Sequence, residues 1–346
     1  MRFLPVQHFQ DSLPYVRSLL EELVIIESPS SNKAAVDAQA LRIIQELETL
    51  GGTISIYPQE QAGSNILCRW GSRDLESGAG GILVLMHMDT VYDVGTLDIQ
   101  PLHEVDGKLF GPGVLDMKAS IAMFLGMIRE FQQQNLWPTR PITALFTADE
   151  ESGSQTSRAL IESEASQAGI VFCLEFPLAN GALKTARKGT GEIDLSVKGV
   201  AAHAGVNHDQ GRNAIEELAH HILAIQQLTD YSRGTTLNVG VVRGGTRSNV
   251  VPNEAHARVD LRVSSLEEFH RLQEWVKNRQ PVIDGTTLLA SIQLNRPPMP
   301  RDAKMEETFR KARSIAAGLG MDLTEGSTGG GSDANFVAPL GVPVLD

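Results

Sequence analysis

Cysteine is nearly absent: Cys68 and Cys173 are the only two in 346 residues, too few for a disulfide framework. Both sit in apolar surroundings, N-I-L-C-R-W and I-V-F-C-L, that read as strand interior. Long apolar runs are missing as well. No stretch approaches the roughly 18–20 apolar residues a membrane helix needs. The opening M-R-F-L-P-V-Q-H-F-Q-D lacks the basic-then-apolar order of a secretory signal. Basic residues are in deficit: 30 Lys and Arg against 42 Asp and Glu leave a net charge of −12. That balance argues against nucleic acid as a partner and favours any site that takes a cation. The rest of the composition, 42% hydrophobic and 21% charged, is that of a soluble globular protein. The expectation is a cytoplasmic α/β enzyme or binding protein, of one large domain or two, with no membrane partner.

The apolar pattern predicts helices over 13–27 and 34–50, the second stopping at Gly51-Gly52. Near-continuous apolar runs at 66–70, 81–86, 141–147 and 169–174 read as strands buried on both faces, with a helix over 117–134 among them. This is a mostly parallel sheet with helices on both sides, where chemistry gathers at the carboxyl ends of strands. After residue 187 the pattern changes to alternation. Strands at 192–200, 236–242, 255–263 and 287–294, with helices at 213–228 and 266–279, follow the order β-α-β-β-α-β. That order is the ferredoxin-like unit. It predicts an inserted α+β domain over 188–296, with 1–187 and 297–346 forming the first domain.

Four stretches end strands or turns with chemistry-bearing side chains. M-H-M-D-T-V (86–91) brings His87 and Asp89 to one side of an extended chain; it also suits a core histidine beside a turn. F-G-P-G-V-L-D-M-K (110–118) carries Asp116, which also suits a helix N-cap. F-T-A-D-E-E-S-G-S (146–154) sets Asp149, Glu150 and Glu151 side by side, where an acidic surface turn is the plain alternative. C-L-E-F-P (173–177) ends a strand on Glu175. Taken together, one histidine and several carboxylates on one sheet edge suit zinc, and more carboxylates than one ion needs suggest two ions sharing a bridge.

Together with G-G-G-S-D-A (329–334) and the inserted domain, these stretches resemble the zinc aminoacylase/carboxypeptidase family of dinuclear metallohydrolases, in its glutamate carboxypeptidase form. The resemblance runs over nearly the whole chain. It implies His87 as ligand of one zinc with Asp89 orienting it, Asp116 as the bridge, often followed by a cis peptide in the family, and Glu175 completing the His87 ion. Glu151 would bind the other zinc, and Glu150 would act as general base and acid. Phe176, between Glu175 and Pro177, departs from the family's usual Glu-Pro. In the inserted domain the resemblance assigns substrate contact to His203, often across a dimer interface. Asn249, Arg262 and Arg296 would meet a substrate carboxylate, with backbone N–H groups of Gly329, Gly330 and Gly331 near it; Arg243 is a further polar candidate. The implied activity is zinc-dependent hydrolysis of an amide in a small peptide, releasing a C-terminal amino acid, by a homodimer. The same constellation serves an N-acyl amino acid deacylase, and a catalytically impaired metal-binding relative stands beside both.

One element of the family pattern is missing. No histidine follows His270, whereas the family carries a last metal-ligating histidine and a helix beyond a strand of the G-V-P-V-L-D (341–346) kind. Either the chain is truncated or its site is modified, and truncation is the expectation taken here. It leaves the Glu151–Asp116 ion one ligand short. It also predicts one metal bound better than two, weak activity and an uncovered apolar edge.

Overall fold

The computed structural model describes residues 5–71 and 80–346. In chain order the principal elements begin with α1 (Leu13–Ile25), α2 (Lys33–Thr49), β1 (Thr53–Tyr57), β2 (Asn65–Trp70) and β3 (Gly81–His87). Next come α3 (Ala119–Gln133), β4 (Ile142–Thr147), α4 (Arg158–Ala165) and β5 (Ala168–Cys173). Then follow β6 (Gly189–Lys198), α5 (Ala214–Gln226), β7 (Thr236–Gly244), β8 (Glu254–Val263), α6 (Leu266–Lys277) and β9 (Thr287–Arg296). The last are α7 (Ala303–Gly318) and β10 (Val344–Leu345). Among the described residues no helix is long and apolar enough to cross a membrane.

Two compact units divide the chain. One comprises 1–185, 301–327 and 332–346; the other comprises 186–300 with 328–331. The expected insertion over 188–296 differs from the second unit by a few residues at each end. The second unit also takes in the tri-glycine stretch, which the sequence pattern left with the first.

The first unit is built on a six-stranded sheet in the order β1-β2-β4-β3-β5-β10. The expectation of a mostly parallel sheet needs qualifying: β4-β3-β5-β10 pair in parallel, but β1 with β2 and β2 with β4 are antiparallel. A short polar connection between β1 and β2 allows a direct reversal there, whereas parallel neighbours need a crossover. Strand β3 shows why a continuous apolar run was legible: Leu83, Val84, Leu85 and Met86 are all buried, so both of its faces are covered. Helices α1, α2 and α3 contribute Leu23, Val24, Ile43, Leu47, Ile121 and Leu125 to the same core. Each such side chain contributes roughly 1.5–3 kcal/mol through burial. Asn32 caps α2 by accepting from Ala35 N–H at 3.2 Å. Cys68 and Cys173 are buried in β2 and β5. Elsewhere on the sheet an apolar cleft of about 620 Å3 opens beside α3, bordered by Val84, Met123, Ile142, Phe172 and Leu174.

The second unit carries an antiparallel sheet in the order β7-β8-β6-β9. Alternation is strict in β8: Ala255, Ala257, Val259, Leu261 and Val263 are buried, and their neighbours point outward. The buried face meets Leu218 and Ile225 of α5 and Leu272 of α6. One face is covered and the other is open, as the period of two requires.

Candidate functional site

Parallel pairing explains why the candidate residues converge. Strands β4, β3 and β5 are neighbours running the same way, with His87 opposite Thr147 and Leu85 opposite Cys173. Their carboxyl ends therefore deliver His87, the D-E-E stretch and Glu175 to one edge of the sheet. Asp116 comes from the turn that precedes α3. There Gly113 adopts φ 69°, and a Cβ on it would lie 2.7 Å from Thr90 Cγ2, so only glycine fits. The Asp116–Met117 peptide is cis. The expected helix start at 117 is replaced by a wide turn over Val114–Lys118, and α3 begins at Ala119. Lys118 secures this turn from within: its Nζ donates to the carbonyls of Leu23 (3.0 Å) and Ile26 (2.7 Å) at the end of α1. Burial pulls its ammonium down to about 7, and the charge of Glu27 opposes that shift.

His87 is 2% exposed, and the roles of its two ring nitrogens follow from their neighbours. Nδ1 lies 2.9 Å from the Asp89 carbonyl oxygen, which can only accept, so Nδ1 carries the proton. The Asp89 carboxylate also stands beside the ring, its Oδ1 3.5 Å from Nδ1. Nε2 faces Asp116 Oδ1 at 2.9 Å and Glu175 Oε1 at 3.7 Å. A lone pair and two carboxylates repel unless a positive charge lies among them. Burial disfavours a charged ring, but the hydrogen bonds to Asp116 and Asp89 and the charge of Glu150 outweigh burial and raise His87 well above the ordinary histidine range. A divalent cation meets the same need, and the donors are spaced for one. Ligand atoms of His87, Glu150 and Glu175 lie within 4.8 Å of one another, as do those of His87, Asp116 and Glu151. Imidazole with carboxylate oxygens is a donor set for zinc and similar ions, so the residues present fit the metal that the sequence implies.

The three adjacent acids take separate places. Asp149 closes its own loop: Oδ2 accepts from Thr156 N–H at 2.6 Å, and its carbonyl accepts from Ser154 N–H at 2.7 Å. The N–H groups of Glu150 and Glu151 both turn toward Asp89, donating to Oδ1 at 3.2 Å and Oδ2 at 3.1 Å. Ser30 Oγ donates to the same Oδ2 at 2.6 Å. Burial would raise Asp89, but the bonds from His87 and Ser30 and the Glu151 N–H hold it below the usual carboxylate range. Asp89 is thus an anchor for the D-E-E backbone more than a partner of the histidine ring. Glu150 is itself 9% exposed.

Other participants were given no role by the sequence. Asn65 accepts from Ala148 N–H at 3.0 Å and is fully buried. Asp333 accepts from the hydroxyls of Ser154 and, at 3.1 Å, Thr147. The S-D part of the tri-glycine motif therefore braces the D-E-E loop. Only a motif compared across the fold could have signalled this, since 186 residues separate Thr147 from Asp333.

The expected substrate residues lie in the second unit, in two groups. His203 and Asn249 are both exposed. His203 bridges to Val250, and Ala204 N–H donates to the Asn249 carbonyl at 3.0 Å. His203 Nδ1 accepts from Gly205 N–H at 3.1 Å, which leaves Nε2 as the protonated nitrogen. Arg262 and Arg296 flank Thr190 in register on adjacent strands. Arg262 binds Asp260 in a forked pair and donates to the Gly329 carbonyl at 3.3 Å. Arg296 is 6% exposed, and Gly331 packs so closely that a Cβ there would lie 2.8 Å from Arg296 Cδ. Arg243 pairs with His256 on the exposed part of β7. Sequence reading missed Arg187, whose Nη1 donates to the carbonyls of Gly330 (3.1 Å) and Gly331 (2.9 Å). It stands in K-T-A-R-K, where nothing in the pattern singles it out.

Residues 185–280 match the M20 peptidase dimerisation domain. Carboxypeptidase G2 of Pseudomonas sp. (strain RS-16) is 29% identical over 343 residues, covering 97% of this chain and 81% of that protein. Succinyl-diaminopimelate desuccinylase of Bordetella parapertussis is 30% identical over 345 residues, covering 93% of this chain and 87% of that protein. Aminopeptidase PepT from Bacillus cereus shares the fold with a TM-score of 0.73 at 23% identity, over 96% of this chain and 89% of that one.

Proposed function

Because the chain belongs to the M20 peptidase family, metallopeptidases and amidohydrolases that act on C–N bonds, we propose that it is a dinuclear zinc carboxypeptidase releasing a C-terminal glutamate-type amino acid. The observation that carries the reading is His87 Nε2 facing Asp116 and Glu175 at 2.9 and 3.7 Å, an imidazole beside two carboxylates. His87, Asp116 and Glu175 would hold one ion, and Asp116 with Glu151 would hold the other. Bound metal supplies Lewis acidity, polarising the amide carbonyl and easing loss of a proton from water. Glu150 takes a proton from the attacking water as its oxygen bonds to the carbonyl carbon. It returns that proton to nitrogen as the C–N bond breaks. Asp89 holds the Glu150 backbone, so the carboxylate is positioned before substrate arrives. His203, Asn249, Arg262, Arg296 and the Gly330 backbone serve substrate binding.

The G2 carboxypeptidase supports the peptidase reading by its name and by matching nearly the whole chain. The desuccinylase, matched as fully, supports an N-acyl amino acid deacylase as the second reading. The matched dimerisation domain supports a homodimer, and the scarcity of cysteine suits a cytoplasmic setting. The test is hydrolysis by the zinc-loaded chain of N-benzoyl-glutamate, N-acetyl-ornithine and N-succinyl-diaminopimelate. Release of glutamate supports the carboxypeptidase, and preference for either of the others supports the deacylase. Glu150→Ala is expected to lower kcat by at least 100-fold; an unchanged rate would remove Glu150 from the mechanism.

A further inference from the structure

Resting on the carboxylate-recognition part of that reading, we infer that Arg187 is a positioning residue. It holds the tri-glycine segment so that the segment and its neighbouring arginines can receive a substrate carboxylate. Arg187 is a charged side chain only 5% exposed, and its backbone is fixed by paired bonds with Met299 at 2.9 and 3.0 Å. Its Nη1 donates to the carbonyls of both Gly330 and Gly331, and Arg262 Nη1 takes the carbonyl of Gly329. All three glycine carbonyls are thereby drawn onto guanidinium groups. In a planar trans peptide the N–H points opposite to the C=O. Gripping the Gly330 carbonyl therefore turns the Gly331 N–H away from Arg187. A carbonyl left facing an incoming carboxylate would repel it, and an N–H would donate to it.

The division of labour among the arginines follows. The Nη1 of Arg187 is committed to two main-chain oxygens, so its role runs through the loop. Arg262 and Arg296 lie on either side of Thr190, and Gly331 sits against both Arg296 and Thr190 at distances that only glycine tolerates. Any shift of Gly331 is thus passed to the Arg296 guanidinium. Lysine at 187 keeps the charge and can donate to carbonyls, but its shorter and more mobile head should hold the loop less firmly than the rigid guanidinium.

The experiment compares wild type, Arg187→Lys and Arg187→Met on N-benzoyl-glutamate and on the same compound with its α-carboxylate converted to carboxamide. Calorimetric Kd values for free glutamate and thermal melts accompany the kinetics. Arg187→Met is expected to raise KM for the carboxylate substrate and Kd for glutamate about 10- to 100-fold. The kcat should stay within about threefold and carboxamide turnover should be unaltered, with Arg187→Lys in between. Equal losses on both substrates, or unchanged discrimination by a folded variant, would overturn the inference. If Arg187→Met fails to fold, Arg187→Lys decides by the same KM comparison. If wild type itself does not distinguish carboxylate from carboxamide, the carboxylate reading fails, and the role of Arg187 fails with it.

Discussion

Asp89→Asn keeps volume and shape and removes one charge, at a carboxylate with no exposed surface. Three donors now converge on it: Glu150 N–H on Oδ1, and Glu151 N–H with the Ser30 hydroxyl on Oδ2. Hydrogen bonds to a charged acceptor contribute about 1.5–3 kcal/mol each, and neutral ones about 0.5–1.5. Asparagine keeps one acceptor oxygen, so at least one N–H must face its NH2 group. Leaving that buried donor unsatisfied adds about 1–3 kcal/mol, while the cheaper desolvation of an amide recovers part. The net expectation is about 3 kcal/mol of lost stability in the first unit. Trp70 and Trp137 lie in that unit and Trp275 in the other. Urea unfolding followed by tryptophan fluorescence in a Trp275→Phe background therefore reports the first unit. With a slope near 3 kcal/mol per molar, the midpoint should fall by about 1 M. Metal affinity should drop about 10- to 100-fold, because the D-E-E backbone loses its anchor. A loss below about 1 kcal/mol with unchanged metal affinity would refute Asp89 as that anchor.

Three further outcomes follow from the same geometry. With three of the proposed ligands (His87, Asp116, Glu175) on one ion and two (Asp116, Glu151) on the other, calorimetric zinc titration should show one tight equivalent and a second at least 10-fold weaker; two equally tight equivalents would contradict this. His87→Ala should abolish the tight equivalent while leaving the fold intact by circular dichroism. In the second unit, Glu268 is held down to about 2 by Arg271, with burial opposing and Thr235 and Arg233 assisting. A depressed carboxylate stabilises above its unfolded value and loses that contribution as pH falls, here between about 4.5 and 2. Because Arg233 and Arg271 are 56% and 35% exposed, screening reduces the contribution to about 1–2 kcal/mol. Glu268→Gln should flatten the acid limb of Trp275-detected unfolding by that amount, and an unchanged limb would count against it.

Much of the first unit was legible because its signals are local. An apolar run such as G-I-L-V-L-M needs no partner to be read as a strand covered on both faces, and β3 occupies it. Alternation announced β8 with equal clarity. The antiparallel edge was not legible, because β1 and β2 differ from parallel strands only in how the chain returns between them. His87, the D-E-E stretch and Glu175 were legible as strand ends, since parallel pairing turns sequence ends into spatial neighbours. Which partner each group takes was not. Whether Asp89 serves the histidine ring or the D-E-E backbone depends on a difference of 0.6 Å between a carbonyl at 2.9 Å and a carboxylate at 3.5 Å.

That difference bears on how a run of three acids can be tolerated. Like charges in adjacent positions are costly only if their carboxylates must share one place. Here the backbone separates them: Asp149 folds back onto Thr156 N–H, and Asp89 collects the N–H groups of Glu150 and Glu151. Those two N–H groups turn toward one buried anion, so the main chain at Glu150 and Glu151 is held apart from their side chains. The side chains can take up different tasks, one at the His87–Glu175 donor set and one at the His87–Asp116 set. Substitutions at Glu150 and Glu151 should therefore be unequal in effect, with the first lowering turnover and the second lowering metal affinity. Asp149 substitutions should act on loop stability alone.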